Sequence, residues 1–125
     1  MSDPIQTVQK FFQGWETSQG FRKAIPEYMT PDCVYENVGL TLANSPAEAL
    51  AVMQGFVDQM DFDRLTVEML AIAAVGNTVL TERIDDLYDS QGTKRLALRV
   101  MGVLEVRDGK IAAWRDYFDT APFKG

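Results

Sequence analysis

The chain contains 125 residues, of which 46% are hydrophobic and 24% are charged. This length and composition are typical of one compact globular domain, and we predict a single domain over residues 1–125. The formal net charge of -6 at pH 7 argues against a nucleic-acid partner, because non-specific binding to the phosphate backbone depends on a basic surface.

The cysteine content and the apolar runs bear on the compartment. The single cysteine, Cys33, excludes a disulfide within the chain. No apolar run approaches the roughly 20 residues of a membrane-spanning helix, and residues 1–10 lack the basic start and apolar stretch of a secretory signal. We therefore expect a reduced, cytoplasmic protein that does not bind to membranes.

The first part of the chain has the pattern of an amphipathic helix. Asp3 followed by Pro4 is a pair that commonly opens a helix. Apolar residues then recur at helical spacing as far as Gln19 and Gly20. They are Ile5, Val8, Phe11, Phe12 and Trp15.

Weaker signals follow, and then a second clear helix. Residues 21–29 predict a helical stretch interrupted by Pro26, and residues 33–37 predict a short strand. Ser45 and Glu48 have the spacing of a capping box, with proline at the first helical position. The apolar stripe of the helix behind this box consists of Leu50, Met53, Phe56, Val57 and Met60.

The second half of the chain changes to strand-like patterns. Four such runs are separated by hairpin-type turns at residues 76–77, 90–92 and 108–109, so we expect mostly antiparallel pairing. The four runs are residues 65–75, 78–88, 95–106 and 110–119. Helices followed by a long meander predict an α+β domain, in which the N-terminal helices pack on the concave face of a curved sheet.

Charged residues occupy two of these strands at positions where apolar residues are expected. Side chains alternate along a strand, so Arg83 and Asp85 share one face with Val79, Thr81 and Leu87.

The last strand carries a third charged residue, Asp116, between two aromatic residues. The same alternation predicts one face with Ala112, Trp114, Asp116 and Phe118, and an opposite face with Ile111, Ala113, Arg115 and Tyr117.

If the faces of Arg83 and Asp116 both look inward, the fold encloses two carboxylates and one guanidinium in an apolar cavity. Desolvation and mutual repulsion then raise the pKa of one acid, while the guanidinium keeps the other ionised. Such a pair can donate a proton at one atom and accept a proton at another. In a meander, one strand lies between the strand of Arg83 and the strand of Asp116. The distance between these two strands is therefore two spacings of ~4.8 Å, which a long arginine side chain can bridge.

The same charges also fit a wet sheet face with ordinary ion pairs, and the direction of the faces decides between the two interpretations. Tyr35 and Asn37 point the same way on a strand and offer a phenol and an amide to hold a water; the simpler interpretation is a buried tyrosine and a turn asparagine. The chain has no histidine, which excludes a Ser-His-Asp triad, a Cys-His pair and the usual zinc site. It also lacks a glycine-rich phosphate loop, so we expect neither a metal nor a cofactor.

In several motifs spread over residues 34–123, the sequence resembles the limonene-1,2-epoxide hydrolase family. The motifs are Thr81-Glu82-Arg83-Ile84-Asp85, Gly102-Val103-Leu104, Gly109-Lys110-Ile111 running into Trp114-Arg115-Asp116-Tyr117-Phe118-Asp119, and upstream Tyr35-Glu36-Asn37. The resemblance implies a cone-shaped sheet of the nuclear-transport-factor-2-like, SnoaL-like superfamily, with a pocket between sheet and helices. It also implies a cofactor-independent epoxide hydrolase.

Carried onto the matching positions, the resemblance implies a role for each residue. Asp116 would be the general base that activates a water molecule, which Tyr35 and Asn37 would also hold. Asp85 would be the neutral acid that protonates the oxirane oxygen, and Arg83 would bridge both carboxylates. The product would be a vicinal diol, formed in one step without a covalent enzyme intermediate.

The expected substrate is a small apolar epoxide, terpenoid-like or cyclic, bound in a dry pocket. Candidate walls of this pocket are Leu87, Leu98, Val100, Trp114 and Phe118. The resemblance alone predicts a homodimer that forms through the outer face of the sheet. Two alternatives remain open: an isomerase or polyketide-cyclase-like enzyme, which would use a lone carboxylate base, and a non-catalytic ligand-binding module on the same fold.

Overall fold

A computed structural model describes residues 3–16 and 20–124, which form three α-helices and six β-strands. The helices are α1 (Pro4–Gln13), α2 (Phe21–Tyr28) and α3 (Pro46–Met60), with short 3₁₀ turns at Gly14–Glu16 and Ala121–Phe123. The strands are β1 (Met29–Asn37), β2 (Thr41–Ala43), β3 (Arg64–Val75), β4 (Thr78–Tyr88), β5 (Lys94–Arg107) and β6 (Lys110–Tyr117).

The six strands form one curved sheet in the order β2-β1-β6-β5-β4-β3. Neighbouring strands are antiparallel except β1 and β6, which run parallel. The predicted α+β class, with a mostly antiparallel curved sheet and helices on its concave face, is confirmed. The hairpin between β5 and β6 turns at Asp108 and Gly109, whose φ angles of 52° and 76° are the positive values that a type I′ turn requires.

Both predicted helix starts are capped by the expected side chains. The Asp3 carboxylate accepts a hydrogen bond from the backbone N–H of Ile5 at 3.0 Å, which satisfies one of the free amides of the first turn. At α3, the Ser45 hydroxyl accepts from the N–H of Glu48 at 3.2 Å. The Glu48 carboxylate reaches back one residue further than the usual capping box and accepts from the N–H of Asn44 at 2.9 Å.

Some element boundaries differ from those predicted. The first α-helix ends at Gln13 and continues as a 3₁₀ turn, while the predicted end at Gln19 lies outside the described residues. The second helix passes through Pro26 without interruption. Strand β1 begins at Met29 instead of residue 33, and the edge strand Thr41–Ala43 was not predicted because three residues are too few to show a period.

Strand β6 contains a β-bulge that changes which side chains face the core. Ile111 pairs with Val106, whereas Ala113 pairs with Glu105, so Ala112 is an extra residue without its own partner on β5. Ile111 is therefore fully buried, whereas Ala112 is only partly buried. The predicted grouping of Ala112 with the face of residues 114 and 116 is wrong, because strict alternation assumes a strand without bulges.

An aromatic cluster fastens the first helix to the sheet. The rings of Phe11 and Trp15 meet that of Trp114 nearly edge to face, with centroids 5.3 and 5.4 Å apart. All three side chains are buried, and each contributes about 1.5–3 kcal/mol by leaving water. The helix thus closes the concave side of the sheet over the inward-facing residues of β4 and β6. None of the helices in the described parts of the chain is both long enough and apolar enough to cross a bilayer.

Candidate active site

Strand β4 presents a row of alternate residues to the concave side of the sheet. Arg83 is fully buried, and Asp85 is 6% exposed. The other members of this row are also buried: Val79, Thr81 and Leu87. This face of β4 therefore looks inward, which decides between the two interpretations and excludes solvent-exposed ion pairs as the explanation for these charges.

All five N–H groups of the Arg83 guanidinium are engaged in hydrogen bonds. Nε and Nη2 donate to the two oxygens of Asp85 at 3.2 and 3.1 Å. Nη1 and Nη2 donate to the two oxygens of Asp116 at 3.1 and 2.9 Å. The remaining Nη1 proton is donated to the Thr81 hydroxyl at 3.2 Å. Since both carboxylates are held in a bidentate manner, their orientation relative to each other is fixed. Arg83 thus contacts both carboxylates at once.

The guanidinium is also covered on one face by helix α1. The Arg83 Cζ atom lies 4.4 Å from the centroid of the Phe12 ring, a distance at which cation–π attraction operates. Asp116 is 4% exposed, so water is excluded from most of this ion cluster. A water-poor site strengthens its electrostatic interactions, and it makes an unpaired charge costly.

Burial and charge set the protonation of this cluster. Burial raises the pKa of the Asp85 carboxyl above its usual range, and the nearby Arg83 cation opposes that rise only in part. Burial opposes the charge on Arg83, but the charges of Asp116 and Asp85 outweigh it and raise the pKa of the guanidinium. Asp85 is therefore biased towards its neutral form, beside an arginine that stays charged.

Strand β1 brings Tyr35 and Asn37 to the same end of the sheet. In the parallel pairing of β1 with β6, Tyr35 lies beside Trp114, and Asn37 lies beside Asp116. The rings of Tyr35 and Trp114 are stacked, with centroids 3.9 Å apart and planes at 20°. The predicted gathering of Tyr35 and Asn37 around Asp116 is therefore seen in the structure.

The polar groups of these two side chains have defined partners. The Tyr35 hydroxyl donates to the sulfur of Met53 at 3.4 Å, and the Asn37 amide nitrogen donates to the Thr41 hydroxyl at 2.9 Å. Burial raises the pKa of the Tyr35 phenol, and the charge of Asp116 adds to the rise. Tyr35 therefore stays protonated as a hydrogen-bond donor, and the Thr41 contact turns the carbonyl oxygen of Asn37 away from β2.

A small cavity of about 40 Å³ lies between the sheet and the helices. Tyr35, Asn37, Asp85 and Asp116 contribute to its lining, and the Arg83 side chain lies behind the two carboxylates. All five predicted wall residues also line it: Leu87, Leu98, Val100, Trp114 and Phe118. The remaining walls, which the strand pattern did not single out, are Trp15, Met53, Phe56, Phe62, Leu65 and Phe123.

Two threonines contact the polar residues of the site, although the sequence analysis assigned neither of them a role. Thr81 accepts from Arg83, and Thr41 accepts from Asn37. Thr81 shared a predicted face with the charged residues, which was the available hint. Thr41 lies on the unpredicted strand β2, so its contact with Asn37 follows from the register of that strand.

The arrangement provides one acid and one base on the wall of an apolar cavity, with a fixed separation set by a shared arginine. It is suited to a reaction that takes a proton at one atom and gives a proton at another. Among residues 3–16 and 20–124, no three His, Cys, Asp or Glu side chains are placed to hold a metal ion.

A family match and a sequence relative both point to one family. The limonene-1,2-epoxide hydrolase catalytic domain matches residues 2–123 of the chain. Epoxide hydrolase EphG of Mycobacterium tuberculosis (strain ATCC 25618 / H37Rv) is 40% identical over 95 residues. That alignment covers 75% of this chain and 60% of the relative, so the chain spans less than two thirds of the relative's length.

Solved structures share the fold. A limonene-epoxide-hydrolase-like epoxide hydrolase from M. tuberculosis superposes with a TM-score of 0.76 at 30% identity, covering 94% of this chain and 83% of that one. A SnoaL-like protein from Jannaschia sp. CCS1 superposes with a TM-score of 0.75 at 19% identity, covering 93% and 85% of the two chains. The second likeness concerns the fold alone. The chain belongs to the limonene-1,2-epoxide hydrolase family.

Proposed function

We propose that this protein is a cofactor-independent epoxide hydrolase that adds water to a small apolar epoxide and releases a vicinal diol. One observation carries the proposal. A single buried guanidinium holds two carboxylates, Asp85 and Asp116, in bidentate contacts on the wall of an apolar cavity. Opening an epoxide requires a nucleophile at carbon and a proton at oxygen together, because the alkoxide is a poor leaving group.

Asp116 is the proposed general base. A water molecule beside it can donate one proton to the Asp116 carboxylate and the other to the carbonyl oxygen of Asn37. Thr41 supports this arrangement, because it accepts a hydrogen bond from the amide nitrogen of Asn37 and so orients the amide group. The protonated Tyr35 hydroxyl can then donate to the water by turning from Met53. One lone pair of the water remains free to attack the epoxide carbon.

Asp85 is the proposed general acid. Its burial favours the neutral carboxyl group, which can donate its proton to the oxirane oxygen. In the reaction, a bond forms between the water oxygen and one ring carbon, and the bond from that carbon to the ring oxygen breaks. Asp116 receives a proton from the water while Asp85 loses its own.

Arg83 stabilises the cluster electrostatically before and after this exchange of protons. Before the reaction the cluster holds one cation, one carboxylate and one neutral acid, and afterwards it holds the same set with the two acids exchanged. Because Arg83 bonds both carboxyl groups with two N–H groups each, it stabilises the negative charge on either side. Return of the proton from Asp116 to Asp85 restores the starting state.

The size of the cavity supports a small substrate. A volume of about 40 Å³ corresponds to roughly three spheres of water size at 10–15 Å³ each. A terpenoid or cyclic epoxide therefore requires wall side chains to move, and the walls are mainly apolar and aromatic.

The test is a single turnover of a panel of small, cyclic and terpenoid epoxides in oxygen-18 water, without added metal or cofactor. We expect label from solvent in the diol during the first turnover, and less than about one hundredth of the wild-type rate with Asp116→Asn, because an amide cannot accept the water proton. Asp58→Asn is the matched control, because Asp58 is exposed on α3 and is not part of the cavity lining.

Two results would redirect the assignment. First-turnover diol oxygen that comes from the protein would indicate a covalent ester intermediate and contradict direct water attack. The absence of turnover for every epoxide would favour an isomerase or cyclase-like enzyme, or a ligand-binding module.

We further propose that the protein is a homodimer formed through the outer face of the sheet. In this proposal each subunit is the single domain of residues 1–125. The outer face carries exposed apolar side chains at Leu80, Met101 and Tyr117, and exposed apolar groups that cluster on one face favour association. Light scattering should give twice the mass of 14.0 kDa, and Met101→Lys should give the single mass. A monomeric wild type would contradict this proposal.

The proposed location is the cytoplasm. Its support is the free, buried thiol of Cys33, which is compatible with a reducing compartment. Fractionation of cells that express the natural full-length protein tests it, and recovery outside the cytoplasm would contradict it.

A further inference from the structure

The central strand β5 has no side chain at the point where the ion cluster crosses it. In the register of the sheet, Gly102 pairs with Thr81 on one side and with Asp116 on the other. Arg83 starts on β4 and reaches Asp116 on β6, so its guanidinium must pass over β5. The inward neighbours of Gly102 on the same strand, Val100 and Leu104, are both buried apolar side chains.

A side chain at position 102 would occupy the space that the cluster needs. A Cβ atom there would lie 2.6 Å from Asp116 Oδ1 and 3.0 Å from Thr81 Oγ1, and it would clash with Arg83 Nη1. Both oxygens accept hydrogen bonds from Arg83 Nη1, and all three residues are buried, so these atoms cannot move aside independently. The glycine is not needed for an unusual backbone conformation, because its φ angle is not positive. Its role here is the absence of a side chain.

Thr81 supplies the remaining contact of the crossing arginine. Its hydroxyl donates to the backbone carbonyl of Gly102 at 3.2 Å, which leaves its oxygen lone pairs to accept from Arg83 Nη1. Without this acceptor, one N–H of a fully buried guanidinium would have no partner among the described residues. An unsatisfied buried donor is costly, and the guanidinium would be expected to rotate towards another acceptor.

We propose that Gly102 and Thr81 are positioning residues, which hold the Arg83 guanidinium between Asp85 and Asp116 and thereby set the geometry of the acid and the base. The proposal rests on the proposed hydrolase function and deepens it. Neither residue lines the cavity, so both act through Arg83 and not through contact with the substrate.

The test compares four variants with the wild type. Gly102→Ala places a methyl group in the crossing, and Thr81→Val removes the hydroxyl while keeping the shape of the side chain. Thr81→Ser restores the hydroxyl and serves as the conservative rescue. Gly55→Ala is the matched control, because a Cβ at this exposed position of α3 meets no atom within 4 Å apart from its chain neighbours and the backbone of its own helix.

Kinetics and product binding separate positioning from folding. We expect kcat to fall about 100-fold for Gly102→Ala, as displacements near 1 Å do in preorganised sites. We expect roughly a tenfold fall for Thr81→Val from the loss of one hydrogen bond to a charged group. Thr81→Ser and Gly55→Ala should stay within about threefold of the wild-type kcat. The dissociation constant of the diol should remain within about threefold for every variant, because the apolar and aromatic side chains of the cavity wall are not substituted.

A second readout does not depend on turnover. Nuclear magnetic resonance of the side-chain N–H groups of Arg83 should show slowly exchanging signals in the wild type, because the guanidinium is buried and fully bonded. These signals should shift or exchange faster in Gly102→Ala and Thr81→Val, and stay unchanged in Thr81→Ser and Gly55→Ala.

The outcomes are distinguishable. Wild-type kcat and wild-type Arg83 signals in Gly102→Ala and Thr81→Val would overturn the proposal. If Gly102→Ala does not fold, the comparison of Thr81→Val with Thr81→Ser decides it by the same criteria. If the wild type hydrolyses no epoxide, the proposed function fails, while the Arg83 signals still decide the positioning role.

Discussion

Replacing Arg83 by lysine tests how much of the site depends on the forked shape of the guanidinium. The ammonium group of lysine offers three N–H groups, so at least two of the five hydrogen bonds of Arg83 must be lost. Each hydrogen bond to a charged partner contributes about 1.5 kcal/mol or more. We therefore expect Arg83→Lys to lower the free energy of unfolding by about 3 kcal/mol and kcat by about 100-fold.

Urea unfolding at pH 7 and diol formation under saturating substrate measure the two effects. Arg99→Lys is the control, because Arg99 is exposed and its nearest approach to Glu82 is 3.8 Å, at the limit of an ion pair. It should change the unfolding free energy by less than about 0.5 kcal/mol. An Arg83→Lys variant with an unfolding free energy within about 1 kcal/mol of wild type and with wild-type kcat would refute the reasoning, since a single point charge would then suffice.

The remaining predictions concern protonation, the amide orientation and the cavity wall. Burial raises the pKa of Asp85, so the native state binds this proton more tightly than the unfolded chain does, and stability should fall as pH rises from the unfolded value through the folded one. Urea unfolding between about pH 4 and pH 9 should show that the free energy of unfolding falls less with pH in Asp85→Asn than in the wild type. The same dependence on pH in both proteins would contradict this prediction. Thr41→Val should lower kcat roughly tenfold at nearly constant KM, because the amide of Asn37 loses the partner that orients it; unchanged kcat would argue against a role for that amide. Phe123→Ala should raise kcat/KM for bulky cyclic epoxides relative to small ones, since the Phe123 ring packs against that of Phe118 in the cavity wall with centroids 5.5 Å apart; an unchanged ratio would place the size limit elsewhere.

Much of the site could be predicted because the strand period is reliable over short distances. Two-residue spacing placed Arg83 and Asp85 on one face, and the buried row of β4 confirms it. The grouping of Asp116 with Trp114 and Phe118 was also correct, although the bulge at Ala112 breaks the alternation four residues earlier. A bulge leaves no periodic signal of its own, which explains why Ile111 was assigned to the wrong face.

Other features depend on contacts between distant parts of the chain. Phe12 covers Arg83 because α1 crosses the concave side of the sheet, and helical spacing alone gives no information about which strand a helix meets. The contact between Thr41 and Asn37 requires the three-residue strand β2, which is below the length at which a pattern is visible. The parallel pairing of β1 with β6 is likewise a long-range choice of partner.

The register row through Asn37, Asp116, Gly102 and Thr81 also has a consequence for folding. Side chains alternate, so a slip of β6 by one residue against β5 would turn Asp116 to the outer face. Arg83 would then be buried beside one carboxyl group instead of two, and breaking a buried ion pair in this way costs about 3–5 kcal/mol. The three charged residues to which we assign catalytic roles thus also destabilise sheets in which β6 pairs with β5 in the wrong register. Apolar replacements of all three charged residues should yield a protein that is no less stable but less uniquely folded.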